Sequence, residues 1–423
     1  MNDFLQKITL AWKDATLRRR LLFIGGMLIL FRLLSAIPIP GIDMARLADF
    51  LAGNQFFGLL NIFSGGGLGN LSIVMLGVGP YITASIIMQL LTMMSPRLKA
   101  LYHEEGEAGR ARFAQYSRLL TVPLALIQAF GFLVLLERQG VVPSLSLFAT
   151  VANVIIVTGG SLLVMWMGEL MTEYGIGNGT SLIIFAGIVA GIPSAVSRLL
   201  FSFDPGDVPI YIGFLALAVL IVWGVVVVTE AERPIPVTYA KRVRGNKVFG
   251  GVSTYLPLRV NQAGVIPIIF ALSILLFPQM IATVLGAFDN AALHALSNFM
   301  NMVFANAWVY AGLYFVLVLL FTYFYTAVTF DPEQIATNLQ KNGAFIPGVR
   351  PGMPTRDYIG SVVTRITLVG AVFLALVAVL PLAMQGLTGN QSLAIGGTAL
   401  LIVVSVVLDF VKKVEAQVSM REY

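Results

Sequence analysis

Long apolar runs dominate the sequence, and the charged residues cluster between them. A run of about 20 apolar residues is the length that an α-helix needs to cross a hydrocarbon core of roughly 30 Å. The runs lack the alternation of a membrane-spanning β-strand, so the pattern predicts helices. Ten transmembrane helices are predicted, at about 21–38, 72–94, 117–137, 149–168, 180–199, 208–229, 263–286, 306–328, 359–383 and 393–411.

A further apolar stretch, from Phe56 to Asn70, is too short to span and is interrupted by three consecutive glycines, residues 65–67. Non-helical backbone at membrane depth is tolerated only where protein or a water-filled cavity surrounds it. We therefore predict a re-entrant helix at about 57–70.

The predicted fold class is an all-α polytopic membrane protein with two halves, 1–200 and 208–423. Each half holds five predicted helices, and an odd count per half gives the two halves inverted topology. No internal repeat is visible at the level of residues. Two long loops, at about 230–262 and 330–358, carry Pro, Gly and basic residues.

Composition and charge agree with this picture. The chain is 57% hydrophobic and 11% charged, whereas a soluble domain carries about 25% charged residues. If the N-terminus is cytoplasmic, 23 of the 27 Lys and Arg residues fall in cytoplasmic segments, which is the bias of the positive-inside rule. Both termini are then cytoplasmic. One cytoplasmic turn departs from the bias, because Glu169 and Glu173 have no Lys or Arg near them in the sequence.

Motifs for catalysis are absent from the sequence. It contains no phosphate-binding G-x-x-x-x-G-K-[ST], no G-x-S-x-G, no H-E-x-x-H and no cysteine. We expect no metal site, no cofactor and no enzymatic activity, so energy for vectorial transport must come from a partner. Three hypotheses remain: a passive channel, a secondary transporter with inverted repeats, and an intramembrane enzyme. A transporter would need a carboxylate in the middle of a helix, and none is found.

Six stretches, in order along nearly the whole chain, resemble the SecY family. The first is FGLLNIFSGG at Phe57 with LGVGPYITASIIMQLL at Leu76, and the second is EGEAGR at Glu105 with QYSR at Gln115. The other four begin EYGIGNGTSLIIFAGIVAG at Glu173, PIPVTYAKR at Pro234, FIPGVRPG at Phe345 and LLIVV at Leu400. Gly79 and the Gly69-Asn70 pair depart from residues common in that family.

The resemblance implies an hourglass pore between the two halves, closed by a plug and a ring of aliphatic side chains. An apolar constriction of this kind excludes ions by dewetting. The alternative is that these are ordinary core or lipid-facing residues, and that the glycine-broken segment is a static re-entrant loop. The implied ring is Val78, Ile82, Ile184, Ile188, Ile269 and Ile402, and the implied plug residues are Phe57, Asn61, Phe63, Ser64, Gly65 and Gly66.

The resemblance also implies a lateral gate between predicted helices 2–3 and 7–8, through which apolar segments enter lipid. The candidate polar contacts across it are Gln89, Thr92 and Asn261, although each could equally serve ordinary helix packing. We expect Pro80, Pro267 and Pro278 to lie inside gate helices and to permit bending.

The two basic loops are the predicted docking surface, and the alternative is that their charge only orients the chain. The docking candidates are Lys241, Arg242, Arg244, Lys247, Arg350, Pro351, Gly352 and Arg356. The Pro-Gly pair predicts a tight turn that exposes Arg350. The resemblance implies the bacterial cytoplasmic (inner) membrane as location. The implied partners are SecE-like and SecG-like small subunits, the SecA motor ATPase, ribosomal RNA, signal peptides, nascent polypeptides and membrane lipid.

Overall fold

The structure, a computed structural model, describes residues 14–40, 64, 67–138, 140, 142–143, 146–201, 208–239, 242–244, 247–249, 253–286, 290–388 and 391–419. Its helices are α1 Ala15–Leu34, α2 Gly79–Met94, α3 Pro96–His103, α4 Gly106–Arg138, α5 Leu147–Tyr174, α6 Gly179–Phe201, α7 Val208–Glu230, α8 Ile266–Leu285, α9 Ala291–Ala305, α10 Ala307–Thr329, α11 Pro332–Lys341, α12 Met353–Thr388 and α13 Gln391–Ser419. A short 3-10 helix, Leu68–Asn70, precedes α2.

The chain is mostly helical, as predicted, and each of the ten apolar runs overlaps a helix. Four stretches of the described chain are long and apolar enough to cross a membrane: Gly106–Glu137, Leu147–Tyr174, Trp308–Lys341 and Met353–Leu380. Three shorter apolar helices are Gly179–Pro193, Leu215–Glu230 and Ile266–Leu275. The helices α3, α9 and α11 were not predicted, because each is too short or too polar to appear as an apolar run.

Capping side chains fix several helix starts. The Asp14 carboxylate accepts from the Thr16 N–H at 2.7 Å at the start of α1. Asn306 caps α10 in the same way through the Trp308 N–H, at 3.0 Å. Such caps satisfy backbone donors that the first turn of a helix leaves unpaired.

The predicted start of the second helix was wrong. The run predicted at 72–94 is helical only from Gly79, since residues 71–78 form turns and a bridge. Pro80 therefore lies in the first turn of α2, and Pro267 lies in the first turn of α8. Proline is favoured there, because its missing N–H costs no helical hydrogen bond. Of the three prolines predicted to lie inside gate helices, Pro278 does so.

The prediction of an all-α fold missed a β-sheet in the two long loops. The strands are β1 Glu232–Tyr239, β2 Arg242–Arg244, β3 Lys247–Phe249, β4 Ser253–Arg259 and β5 Ala344–Phe345. β1 pairs antiparallel with β4 and β5, and β2 pairs with β3. The sheet joins the two loops, because Thr238 of the first pairs with Phe345 of the second.

The helices of the two sequence halves share one hydrophobic cluster. It includes Phe31 and Val164 of the first half and Leu275, Tyr314 and Leu374 of the second. The halves meet where α2 and α4 pack on α8 and where α6 packs on α13. A second cluster, with Ile235, Ile346 and Ile359, fastens the sheet to the start of α12.

Candidate functional site

The six residues predicted to form a ring come from helices of both halves. Val78 and Ile82 lie at the start of α2, Ile184 and Ile188 on α6, Ile269 on α8 and Ile402 on α13. Five of the six are buried, and Ile188 is half-buried against the same hydrophobic cluster. All six side chains are apolar and β-branched, and they belong to or pack against one large hydrophobic cluster that joins the two halves. A dry constriction needs apolar side chains of this kind, and the ring itself stays a prediction.

The predicted plug lies almost entirely outside the described residues. Phe57, Asn61, Phe63, Gly65 and Gly66 are among those not described. Ser64 is described and buried, and its hydroxyl accepts from the Leu68 N–H at 2.9 Å. The backbone after it is tied to α1, because the Ile39 N–H donates to the Leu71 carbonyl at 2.9 Å. The plug therefore remains a prediction.

The predicted gate contacts lie on α2 and just before α8, and their described hydrogen bonds are local. Thr92 is buried on α2, and its hydroxyl donates to the Gln89 carbonyl at 2.6 Å. Asn261 precedes α8 and donates its side-chain N–H to the Gly264 carbonyl at 3.2 Å. Within the described chain, the amide oxygens of Gln89 and Asn261 are buried and accept no hydrogen bond. These two oxygens are buried acceptors available to a polar group that enters the seam between the helices.

The Arg350 turn has the conformation that its Pro-Gly sequence predicts. Gly352 has φ +95°, a value that side-chain-bearing residues rarely adopt. The Thr355 hydroxyl donates to the Arg350 carbonyl at 2.8 Å, which ties the turn to the first turn of α12. The Arg350 side chain is exposed, while Arg356 pairs with its neighbour Asp357 at 2.8 Å. Arg350 is thus presented at the tip, and Arg356 is held at the base.

We expect Gly352→Ala to disturb this turn, because the added Cβ strains a backbone with positive φ by about 1–2 kcal/mol. The sequence predicts that this turn docks the partner that supplies energy for export, so displacing it should lower export in proportion to the lost population. Export assays on membrane vesicles measure this, with Gly360→Ala in α12 as the matched variant, since a Cβ there meets only an ordinary contact at 3.9 Å. Equal export by the two variants would contradict a role for the turn geometry.

The other predicted docking residues lie at the tip of the first loop. Arg242 and Arg244 lie on β2 and Lys247 on β3, with Arg244 and Lys247 paired across the hairpin. Lys241 lies outside the described residues. At the base of this loop, Arg259 on β4 pairs with Glu232 on β1 at 3.3 Å. The three-stranded sheet β4-β1-β5 joins the base of this loop to the loop that carries Arg350, and the β2–β3 hairpin is a separate two-stranded sheet.

An ion pair that the sequence did not reveal joins α4 and α5. The Arg118 Nε lies 2.7 Å from the Glu169 Oε1, although the two residues are 51 positions apart. Tyr81 of α2 also interacts with the Glu169 carboxylate. Glu169 has no basic neighbour in the sequence, and its partner comes from a neighbouring helix.

We expect Glu169→Gln to lower the free energy of unfolding by about 1 kcal/mol, because it replaces an ion pair with a hydrogen bond from a charged donor to a neutral acceptor. The side chain of Arg118 is 46% exposed, so solvent limits the loss. Thermal unfolding of the detergent-solubilised protein measures it, with Glu173→Gln, an exposed residue of the same helix, as the control. A variant at residue 169 as stable as its control would show that the pair contributes nothing.

Comparison with known proteins gives a consistent result. The family model for SecY matches residues 72–411. The protein translocase subunit SecY of Streptomyces coelicolor is 45% identical over 431 residues, covering 98% of this chain and 97% of its own.

Solved structures share the fold. One was solved to show how the plug domain of the SecY protein stabilises the closed state of the translocation channel and maintains a membrane seal. It matches with a TM-score of 0.66 and 19% identity, covering 96% of this chain and 93% of that one. Canine Sec61 in a ribosome–channel complex from the endoplasmic reticulum matches with a TM-score of 0.58 and 18% identity, covering 93% and 91%. At these identities the likeness establishes the fold.

Proposed function

Because this chain belongs to the SecY family, we propose that it forms a protein-conducting channel subunit of a protein translocase. It translocates unfolded polypeptides across the membrane and releases apolar segments into the bilayer through a lateral gate. The observation that carries this is the cluster shared by Val78, Ile82, Ile184, Ile269 and Ile402, which brings aliphatic side chains of both halves together.

The architecture we propose has ten spans in two inverted halves, 1–200 and 208–423. Support comes from the overlap of each apolar run with a helix and from the contacts of α2 and α4 with α8. The charge bias supports an orientation with both termini cytoplasmic. The location we propose is the bacterial inner membrane, and its support is the likeness to bacterial SecY subunits. Apolar helices of spanning length support membrane insertion.

The closed channel we propose is sealed at the ring of six aliphatic residues and by the segment 57–70 as a plug. An aliphatic ring suits the task, because it offers a passing chain no specific hydrogen bond or charge. Many sequences can therefore slide through it. The gate is the seam where α2 and α4 meet α8, and it is held mainly by apolar packing. Single polar bonds between membrane helices average only about 0.6 kcal/mol, so a gate of this kind opens readily.

The cytoplasmic sheet is the proposed docking platform for the partner that supplies energy. Its two loops carry Arg350 at a fixed turn and basic residues on the β2–β3 hairpin. Basic surface of this kind attracts phosphate backbones and acidic protein surfaces. We propose a SecA-type motor ATPase and the ribosome as alternating partners, and SecE-like and SecG-like subunits as partners within the membrane. The canine relative was solved with a ribosome.

A secondary transporter is the alternative function, and it is disfavoured. In the described chain Asp409 is exposed and paired with Lys413 at 2.6 Å, so it is no buried proton carrier. Reconstituted vesicles separate the two functions. With a SecA-type motor and ATP, the channel protects a signal-peptide-bearing polypeptide from external protease. A vesicle that accumulates a small solute against its gradient and protects no polypeptide would favour the transporter.

A further inference from the structure

Two irregular segments, one before each of the gate helices α2 and α8, have the same build. Residues 73–82 read IVMLGVGPYI, and residues 260–269 read VNQAGVIPII. Aligned without a gap, they share Gly-Val-x-Pro-x-Ile. The shared glycines, Gly77 and Gly264, both have positive φ, at +53° and +61°. Both prolines lie in the first turn of the helix that follows.

The first residue of each segment is tied to the end of the preceding long helix. The Ile73 N–H donates to the Ile37 carbonyl, three residues past α1, at 3.0 Å. The Val260 N–H donates to the Ala231 carbonyl, one residue past α7, at 2.9 Å. We call Ile73 and Val260 the two anchor residues. Each lies four residues before the shared glycine and seven before the shared proline.

The carbonyl of each anchor residue rests on a glycine in the middle of another helix. The Ile73 carbonyl packs so closely on Gly160 of α5 that a Cβ there would overlap it. A Cβ on Gly370 of α12 would lie 2.6 Å from the Val260 oxygen. In both places the obstacle is backbone, which cannot rotate away as a side chain can. We name Gly160 and Gly370 the two glycine seats.

We propose that the two glycine seats are positioning residues that set the entry point of each gate helix and thereby hold the ring closed. Val78 follows its anchor by five residues, and Ile269 follows Val260 by nine. The inference rests on the proposed channel function. The same contact in both halves is the signature of an inverted repeat.

The two seats differ in one hydrogen bond. The Ser161 hydroxyl, which is fully buried, donates to the Gly77 carbonyl at 2.9 Å and adds a second attachment at the first seat. The corresponding residue after Gly370 is Ala371, which has no hydroxyl. The entry to α2 is therefore held more firmly than the entry to α8.

The first test uses the absence of cysteine from the chain. Val78→Cys introduces a single thiol at a position with 0% exposure, so a small maleimide should label it slowly in the resting channel. Adding Gly160→Ala should speed labelling about tenfold, the shift in population that follows a loss of roughly 1.4 kcal/mol from the closed arrangement. The matched control is Gly159→Ala, because a Cβ there meets nothing within 4 Å. Equal labelling of the two double variants would overturn the proposal.

Ser161→Ala is a second test of the first seat in case Gly160→Ala does not fold. It removes a hydrogen bond and adds no volume. It should also speed labelling of the cysteine at position 78, by a smaller factor. If Gly160→Ala does not accumulate as folded protein and Ser161→Ala labels as slowly as Gly159→Ala, the first seat is not a positioning residue.

The second seat is tested in the same way, with Ile269→Cys as the reporter. Gly370→Ala should raise its labelling, and Gly312→Ala of α10, where a Cβ meets nothing within 4 Å, should not. The ion leak of Ile402→Asn distinguishes a failure of the glycine-seat proposal from a failure of the proposed ring. If that variant leaks but the seat variants label like their controls, the seats are wrong and the ring stands. If it does not leak, the ring itself is wrong.

Discussion

Ile402→Asn raises the ion conductance of the resting channel by about tenfold or more in our account, because it buries an unpaired amide in the proposed seal. Ile402 is fully buried on α13 and belongs to the cluster shared by both halves. An Asn side chain is smaller than the Ile it replaces and its amide binds water, and a wetted constriction conducts ions. Conductance of proteoliposomes containing the variant, without motor or substrate, measures the effect.

The control for Ile402→Asn is Val407→Asn, which introduces the same amide on the same helix. Val407 is 40% exposed, so its amide lies away from the buried cluster and should leave the seal intact. A leak in both variants would indicate general damage to α13. An unchanged leak in Ile402→Asn would count against the assignment of the ring.

Arg350→Glu should lower motor-driven export by about tenfold while the fold is kept, since reversing a charge at a docking surface replaces attraction with repulsion. Arg350 is exposed at the tip of a turn whose shape is fixed by Gly352 and Thr355. Its own backbone carbonyl makes the bond to Thr355, so the side chain can change without loss of that bond. Protease protection of an exported substrate in vesicles measures the effect.

Two further variants serve as controls for Arg350→Glu. Lys99→Glu makes the same charge change at an exposed residue of α3, outside the two loops that form the proposed platform, and should export normally. Arg350→Lys keeps the charge but loses the planar guanidinium fork, so it separates simple attraction from bidentate recognition. Normal export by Arg350→Glu would remove the docking role from this residue.

The apolar runs predicted the helices well, because burial in lipid leaves a strong and local signal. They failed at the ends of helices, where the deciding forces are not hydrophobic. The start of α2 at Gly79 follows from a positive φ at Gly77 and from a proline that belongs in a first turn. The sheet was missed because its strands are short, charged and rich in proline, and because β1 joins two loops that are about 100 residues apart.

The candidate site was predictable only where a motif carried it. The ring residues came from the family resemblance, since isoleucine and valine occur throughout the chain. The Arg118–Glu169 pair depends on the packing of two helices and leaves no mark in the local sequence. The glycine seats escaped notice because their repeat shares only four residues in ten, and its meaning appears once backbone angles and carbonyl contacts are known.

Site-directed crosslinking to an arrested polypeptide tests the central claim most directly. A single cysteine is placed in turn at each of the six ring positions, in a chain that has no other. A cysteine in the polypeptide is then held inside the channel. We expect disulfides from helices of both halves at the ring positions and none from Val219 or Leu376, which are exposed on the outer helix surfaces. Crosslinks at the exposed pair, with none at the ring, would contradict a conducting path through the buried cluster.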